Sequence, residues 1–129
     1  MSERKKILLI DDTPVVLHIL VSILSDDYDV VVAINGNAGL ELTKKITPDL
    51  IVLDVIMPGM SGYEVLKALK SDERTKCIPV VLISGEESSE IADTCYKLGA
   101  VAYIEKPFDV DIVKQEIDNS LYGHLTSIQ

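Results

Sequence analysis

Five short apolar runs constrain this chain more than anything else in it: Ile7–Ile10, Val30–Ile34, Leu50–Leu53, Val80–Ile83 and Val101–Ile104. Each is rich in Val, Ile or Leu, and none alternates with polar residues. Alternation marks a strand with one wet face. Continuous runs of this length suit strands covered on both faces, as in a parallel sheet. Helical patterns fill the gaps. Thr13-Pro14 can cap and open a first helix, with proline at its first position. A second begins near Asn37 and stops before Thr47-Pro48. A third covers about Gly62 to Lys70, with Val65, Leu66 and Leu69 on one face. A fourth starts after Ser88-Ser89 and ends at Gly99, a left-handed cap, with Ile91, Cys95 and Leu98 at helical spacing. A fifth runs from about Val110 to Leu121 and aligns Val113, Ile117 and Leu121. The result is an α/β chain with a (βα)5 pattern, and right-handed crossovers put helices on both faces of one parallel sheet.

The first helix is unusually apolar. Leu17, Leu20, Val21 and Leu24 form the stripe that faces the sheet. Val15 and Ile19 then point away, with Val16 and Ile23 on the flanks. An exposed contiguous apolar patch tends to mark a partner site.

The 129 residues fit one domain able to bury its own core. Acidic residues number 21 against 12 basic, for a net charge of −9, so the chain repels phosphate backbones. Trp is absent and Phe occurs once, which leaves few stacking surfaces for single strands. No direct nucleic-acid binding by this segment is therefore expected. Cys77 and Cys95 form no CxxC pair and read as free, mostly buried thiols of a reducing compartment. The basic start is followed by an apolar run that Asp11 and Asp12 cut short. That is too little for a signal peptide or membrane span, and a cytoplasmic protein with no membrane contact is expected. His18 and His124 lack metal-ligand spacing and read as surface residues, and Lys44-Lys45 as a solvated helix end.

In an open α/β sheet the ligand site lies beyond the carboxyl ends of the strands. There stand Asp11 and Asp12 after the first run, Asp54 after the third, Ser84 after the fourth and Lys106 just beyond the fifth. The second ends in Asn35-Gly36. Three converging carboxylates repel one another unless a positive charge sits among them. A hard divalent cation such as Mg2+ meets that need with oxygen ligands. A carboxylate beside it can act as a nucleophile for phosphoryl transfer, with Lys106 and Ser84 receiving the phosphoryl oxygens and Gly85 leaving room. Spacing alone leaves the nucleophile open, and Asp54, the central one, is the natural candidate. The competing reading makes Asp54 a loop cap and Asp11-Asp12 an electrostatic helix start.

The segments Ile7–Asp12, Asp54-Val55-Ile56-Met57-Pro58-Gly59-Met60-Ser61-Gly62, Val81–Gly85 and Gly99–Phe108 resemble the receiver domain of bacterial two-component response regulators, of the chemotaxis-regulator kind. The resemblance covers about Lys5 to Leu121. It implies a flavodoxin-like sheet in strand order 2-1-3-4-5. It implies that Asp54 accepts a phosphoryl group and that Mg2+ is held by Asp12, Asp54, the Ile56 backbone carbonyl and, through water, Asp11. Ser84 becomes a switch hydroxyl, Tyr103 a switch aromatic and Lys106 a phosphoryl partner, with Lys106–Pro107 a cis peptide. Ile56 and Glu86 would border the mouth and tune the lifetime of the phosphoryl group. The expected donor is a histidine kinase or histidine phosphotransferase docking on Val15, Ile19, Pro107 and Phe108. The expected target is a downstream protein or a missing output domain, with a homodimer possible on activation. Residues 1–129 read as a single receiver domain, core about 5–121, without an output domain in this chain. The resemblance further implies a signalling switch that catalyses its own phosphorylation and dephosphorylation, rather than an enzyme.

Rival readings lack their residues. A haloacid-dehalogenase-type phosphatase needs Asp-x-Asp after the first strand, and Thr13 occupies the third position. A flavodoxin needs a hydroxyl- and glycine-rich phosphate cradle where two carboxylates stand. A degenerate receiver acting as a phosphorylation-independent scaffold would have lost an acidic residue, the acceptor or the lysine, and all are present.

Overall fold

The structure, a computed structural model, describes residues 4–85 and 89–122. Its elements alternate in chain order: β1 (Lys6–Ile10), α1 (Pro14–Leu24), β2 (Asp29–Ala33), α2 (Gly36–Ile46), β3 (Leu50–Asp54), α3 (Gly62–Ser71), β4 (Val80–Ser84), α4 (Ser89–Lys97), β5 (Ala102–Glu105) and α5 (Val110–Tyr122). All strand pairs are parallel, in the order β2-β1-β3-β4-β5. The reversal at β1 and β3 is the switch point of the sheet.

Strand residues divide by parity. Ile7, Leu9, Leu50, Val52, Val81 and Ile83 face α1 and α5, where Leu17, Leu20, Val113 and Ile117 meet them. Leu8, Ile10, Ile51, Leu53, Val80 and Leu82 face the other layer, against Val65, Leu66, Leu69 and Cys95. β3 and β4 are buried at every residue. That is why the runs carry no alternation.

Five expectations need correction. β2 is the edge strand, so Asp29 and Val32 are exposed, and Ile34 lies past the strand in the open. Val101 likewise falls outside β5 and is exposed. In α1 the buried residues are Leu17, Leu20, Ile23 and Leu24, while Val21 is only partly covered. The following turn folds back beneath the helix, Tyr28 N–H donating to the Leu24 carbonyl at 3.0 Å, and Tyr28 joins the cluster that covers Ile23. Of the two free cysteines, Cys95 is buried but Cys77 is exposed. Thr13 occupies the cap position of α1 and Pro14 opens the helix, yet the Thr13 side chain makes no capping bond.

Other helix ends follow local chemistry. The Asn35 side chain accepts from Ala38 N–H at 2.8 Å and caps α2. Ser61 and Glu64 form a reciprocal capping box on α3. Gly99 has φ +108°, the left-handed turn expected after α4.

Gly62 sets how closely α3 approaches the end of β3. A Cβ there would lie 2.2 Å from the Asp54 carbonyl oxygen and 2.7 Å from Val55 Cα, both backbone atoms that cannot rotate away. Gly62 N–H also donates to the Val55 carbonyl at 2.8 Å. Gly62→Ala should therefore destabilise the protein by about 1–3 kcal/mol, the usual range for overpacking. A urea midpoint equal to wild type would show that the β3–α3 junction tolerates the shift.

Candidate acidic phosphoryl site

Asp11, Asp12 and Asp54 come together at the carboxyl ends of β1 and β3. Asp11 and Asp54 are buried, and Asp12 is half-buried. One carboxylate oxygen from each lies within 4.8 Å of the others. Lys106 reaches across from the end of β5, its Nζ 3.7 Å from Asp11 Oδ2 and 3.7 Å from Asp54 Oδ2. The sequence placed Lys106 at this end. The bridge to both carboxylates is visible only once β1, β3 and β5 are assembled.

The remaining oxygens are held locally. Asp11 Oδ1 accepts from Thr13 N–H at 2.8 Å, and Asp54 Oδ1 accepts from Ile56 N–H at 3.3 Å. Asp11 Oδ2 is buried without a hydrogen-bond partner among the described residues. An ionised oxygen in that condition is costly. A hard cation with oxygen ligands fits it, as it fits three clustered carboxylates. Burial and the Asp11 carboxylate push the Asp54 carboxyl up to about 6, with Asp12 adding a little. The Lys106 ammonium and the Ile56 N–H pull the other way.

The other expected residues stand around this cluster. Ser84 is buried at the end of β4, and its carbonyl accepts from Lys106 N–H at 2.8 Å. Tyr103 is partly buried on β5, packed against the α2–α4 side of the core. By parity Ser84 shares that side, whereas Asp11, Asp54 and Lys106 share the α1–α5 side. Lys106–Pro107 is cis. The Ile56 side chain is exposed at the mouth. Val15 and Ile19 are 67% and 41% exposed, and Pro107 is exposed. Phe108 is only half open, because it packs against the α1–α5 core. Glu86 lies outside the described residues. In the sequence Gly62 marks only a helix start, and Ile34 continues an apolar run. Neither position carries a chemical signal until the strands are aligned. A groove of about 740 Å³, lined by Asp27, Tyr28, Lys114, Asp118 and Tyr122, lies at the opposite end of the sheet. It is shaped by Tyr28 O–H donating to Asp118 Oδ1 at 2.9 Å and contains none of these residues.

The response regulator receiver domain family matches residues 7–118. The chain belongs to that family. Protein PilH of Pseudomonas aeruginosa is 29% identical over 119 residues, covering 92% of this chain and 98% of PilH. A probable cyclic di-GMP phosphodiesterase of Vibrio cholerae is 34% identical over 115 residues, 89% of this chain, and this chain spans only 26% of that relative's length. The chemotaxis protein CheY4 of Vibrio cholerae superposes with a TM-score of 0.87 at 28% identity, covering 92% of this chain and all of that structure. This receiver is thus a phosphorelay signalling module in the CheY-like fold. Receiver domains generally bind Mg2+ at an acidic pocket and interact with histidine kinases and output domains. Among the described residues, no helix is long and apolar enough to cross a membrane.

The raised pKa of Asp54 has a consequence for the metal-free protein. With the folded value near 6 and the ordinary value 3.8, the folded state holds more protons than the unfolded one in between. This group's contribution to stability therefore falls as pH rises from about 4 through about 6. Asp54→Asn should stabilise the metal-free protein at pH 7 by about 1–3 kcal/mol, and the gain should vanish near pH 4. Urea titrations at both pH values check it. A gain that persists undiminished at pH 4 would show that charge is not its source.

Proposed function

We propose that Asp54 is the phosphoacceptor of this receiver. The observation that carries the reading is a buried carboxylate among two others, bridged by the Lys106 ammonium at 3.7 Å. An Asp54 oxygen attacks phosphorus, and the bond from phosphorus to the donor's leaving atom breaks, that atom keeping the electron pair. At neutral pH the group is above its pKa of about 6 and ionised, as a nucleophile must be. Lys106 then exchanges its hold on Asp54 Oδ2 for a new phosphoryl oxygen, and the Ser84 hydroxyl donates to another.

Asp12, Asp54 and the Ile56 carbonyl would hold Mg2+ directly, with Asp11 acting through water. Bound there, Mg2+ neutralises part of the carboxylate charge and helps orient the phosphoryl oxygens. The added phosphoryl charge draws Ser84 toward it, and Tyr103, on the same side of the sheet, follows inward. This two-state element is what a downstream partner or output domain reads, alone or as a homodimer. The phosphoryl donor is a histidine kinase or histidine phosphotransferase that docks over Val15, Ile19, Pro107 and the open part of Phe108. The reading places the protein in the cytoplasm, as a switch rather than an enzyme acting on other substrates.

Acetyl phosphate with Mg2+ should add one phosphoryl mass, and the gain should disappear with chelator. Asp12→Ala should weaken Mg2+ binding about tenfold or more and slow labelling in step. Equal Mg2+ affinity in wild type and Asp12→Ala would remove Asp12 from the ligand set. A wild-type protein that gains no mass would leave the phosphorylation-independent scaffold as the better account.

A further inference from the structure

Ile34 is 64% exposed, and strand register fixes where it stands. Ile10 pairs with Ala33 on one side and Leu53 on the other. The next residues of the three strands, Ile34, Asp11 and Asp54, therefore form one row across the strand ends. Asp11 N–H donates to the Ala33 carbonyl at 3.1 Å and ties the row together. At about 4.8 Å per strand, Ile34 stands roughly 10 Å from Asp54. All three share the parity of Val30, Leu9 and Val52, so they lie on the α1–α5 side of the sheet. Val32 shares that side on the same edge strand and is exposed as well. α1 opens at this end too, presenting Val15 and Ile19. Ile34 thus adds an exposed apolar residue on the sheet edge to those of α1, on the same side and at the same end of the sheet as the acidic cluster.

A small phosphodonor reaches Asp54 without touching Ile34. A protein donor cannot do so freely. To bring phosphorus against an Asp54 oxygen it must lay its own surface on the rim of the pocket, and a protein surface is far wider than 10 Å. We propose that Ile34 contacts the phosphohistidine-bearing protein that delivers the phosphoryl group. Its footprint then runs from α1 across the end of β2, and the donor carries an apolar residue beside its histidine to meet Ile34. This rests on Asp54 being the acceptor.

The test uses the full chain and, from the source organism, histidine kinases autophosphorylated with labelled ATP and phosphotransferases loaded in turn by relay from those kinases. The donor that transfers fastest to the wild-type protein is the probe. Ile34→Glu should lower kcat/KM for transfer about tenfold or more, whereas Ile34→Leu should keep it within about twofold. Val101→Glu is the control, since Val101 is 49% exposed but precedes β5 at the other end of the strands, and transfer should be unchanged. Ile34→Glu should still be labelled by acetyl phosphate at the wild-type rate. Equal transfer to wild type and Ile34→Glu would overturn the proposal and leave Asp54 as acceptor. Loss of acetyl phosphate labelling in Ile34→Glu, or no transfer to wild type from any donor, would also overturn it. Failure of acetyl phosphate to label wild type would instead overturn the reading of Asp54.

Discussion

Three carboxylates are held together at the carboxyl ends of two neighbouring strands, and one lysine ammonium answers them. Like charges at this separation, partly out of water, oppose folding. The cluster persists because the scaffold leaves it no alternative. β1 and β3 are central strands, buried along almost their whole length, and neither can slip without turning its apolar residues into the wrong layer. Asp11 and Asp54 are therefore fixed by register as firmly as Ile10 and Leu53. The strain is chemically useful, because among the described residues it leaves a buried oxygen without a hydrogen bond and a carboxylate with a raised pKa where a cation or phosphoryl group would relieve both.

Neighbouring features serve that placement. Gly62 lets the first turn of α3 press on the backbone behind Asp54. Thr13 and Ile56 donate backbone N–H groups that orient the carboxylates. Lys106 is delivered by β5, whose own N–H bond to the Ser84 carbonyl links it to the hydroxyl position. The site's parts thus come from four strand ends, and the parallel sheet is what brings these ends to one place.

Most of this was legible in the sequence because burial on both faces leaves a plain signature. The runs at Leu50–Leu53 and Val80–Ile83 became fully covered strands, and the polar residues following four of the five runs gather at one end of the sheet. The misreadings fall where burial is incomplete. Ile34 and Val101 extend apolar runs in sequence but lie past the strands, so composition could not separate them from core. Ile23 and Val21 exchange roles because a turn outside α1, closed by Tyr28, decides which flank is covered. Cys77 sits in the α3–β4 connection, where no periodicity reports exposure. The Lys106 bridge and the close approach at Gly62 depend on distances between elements, which one-dimensional spacing does not encode.

The central claim is that this strained cluster makes Asp54, and no other carboxylate, the phosphoryl acceptor. Borohydride reduction of the acetyl-phosphate-treated protein, followed by peptide mass mapping, tests it directly, since reduction converts an aspartyl phosphate to homoserine. Homoserine at position 54 alone is the result this account predicts. Homoserine at position 11 or 12, with position 54 unmodified, would contradict it.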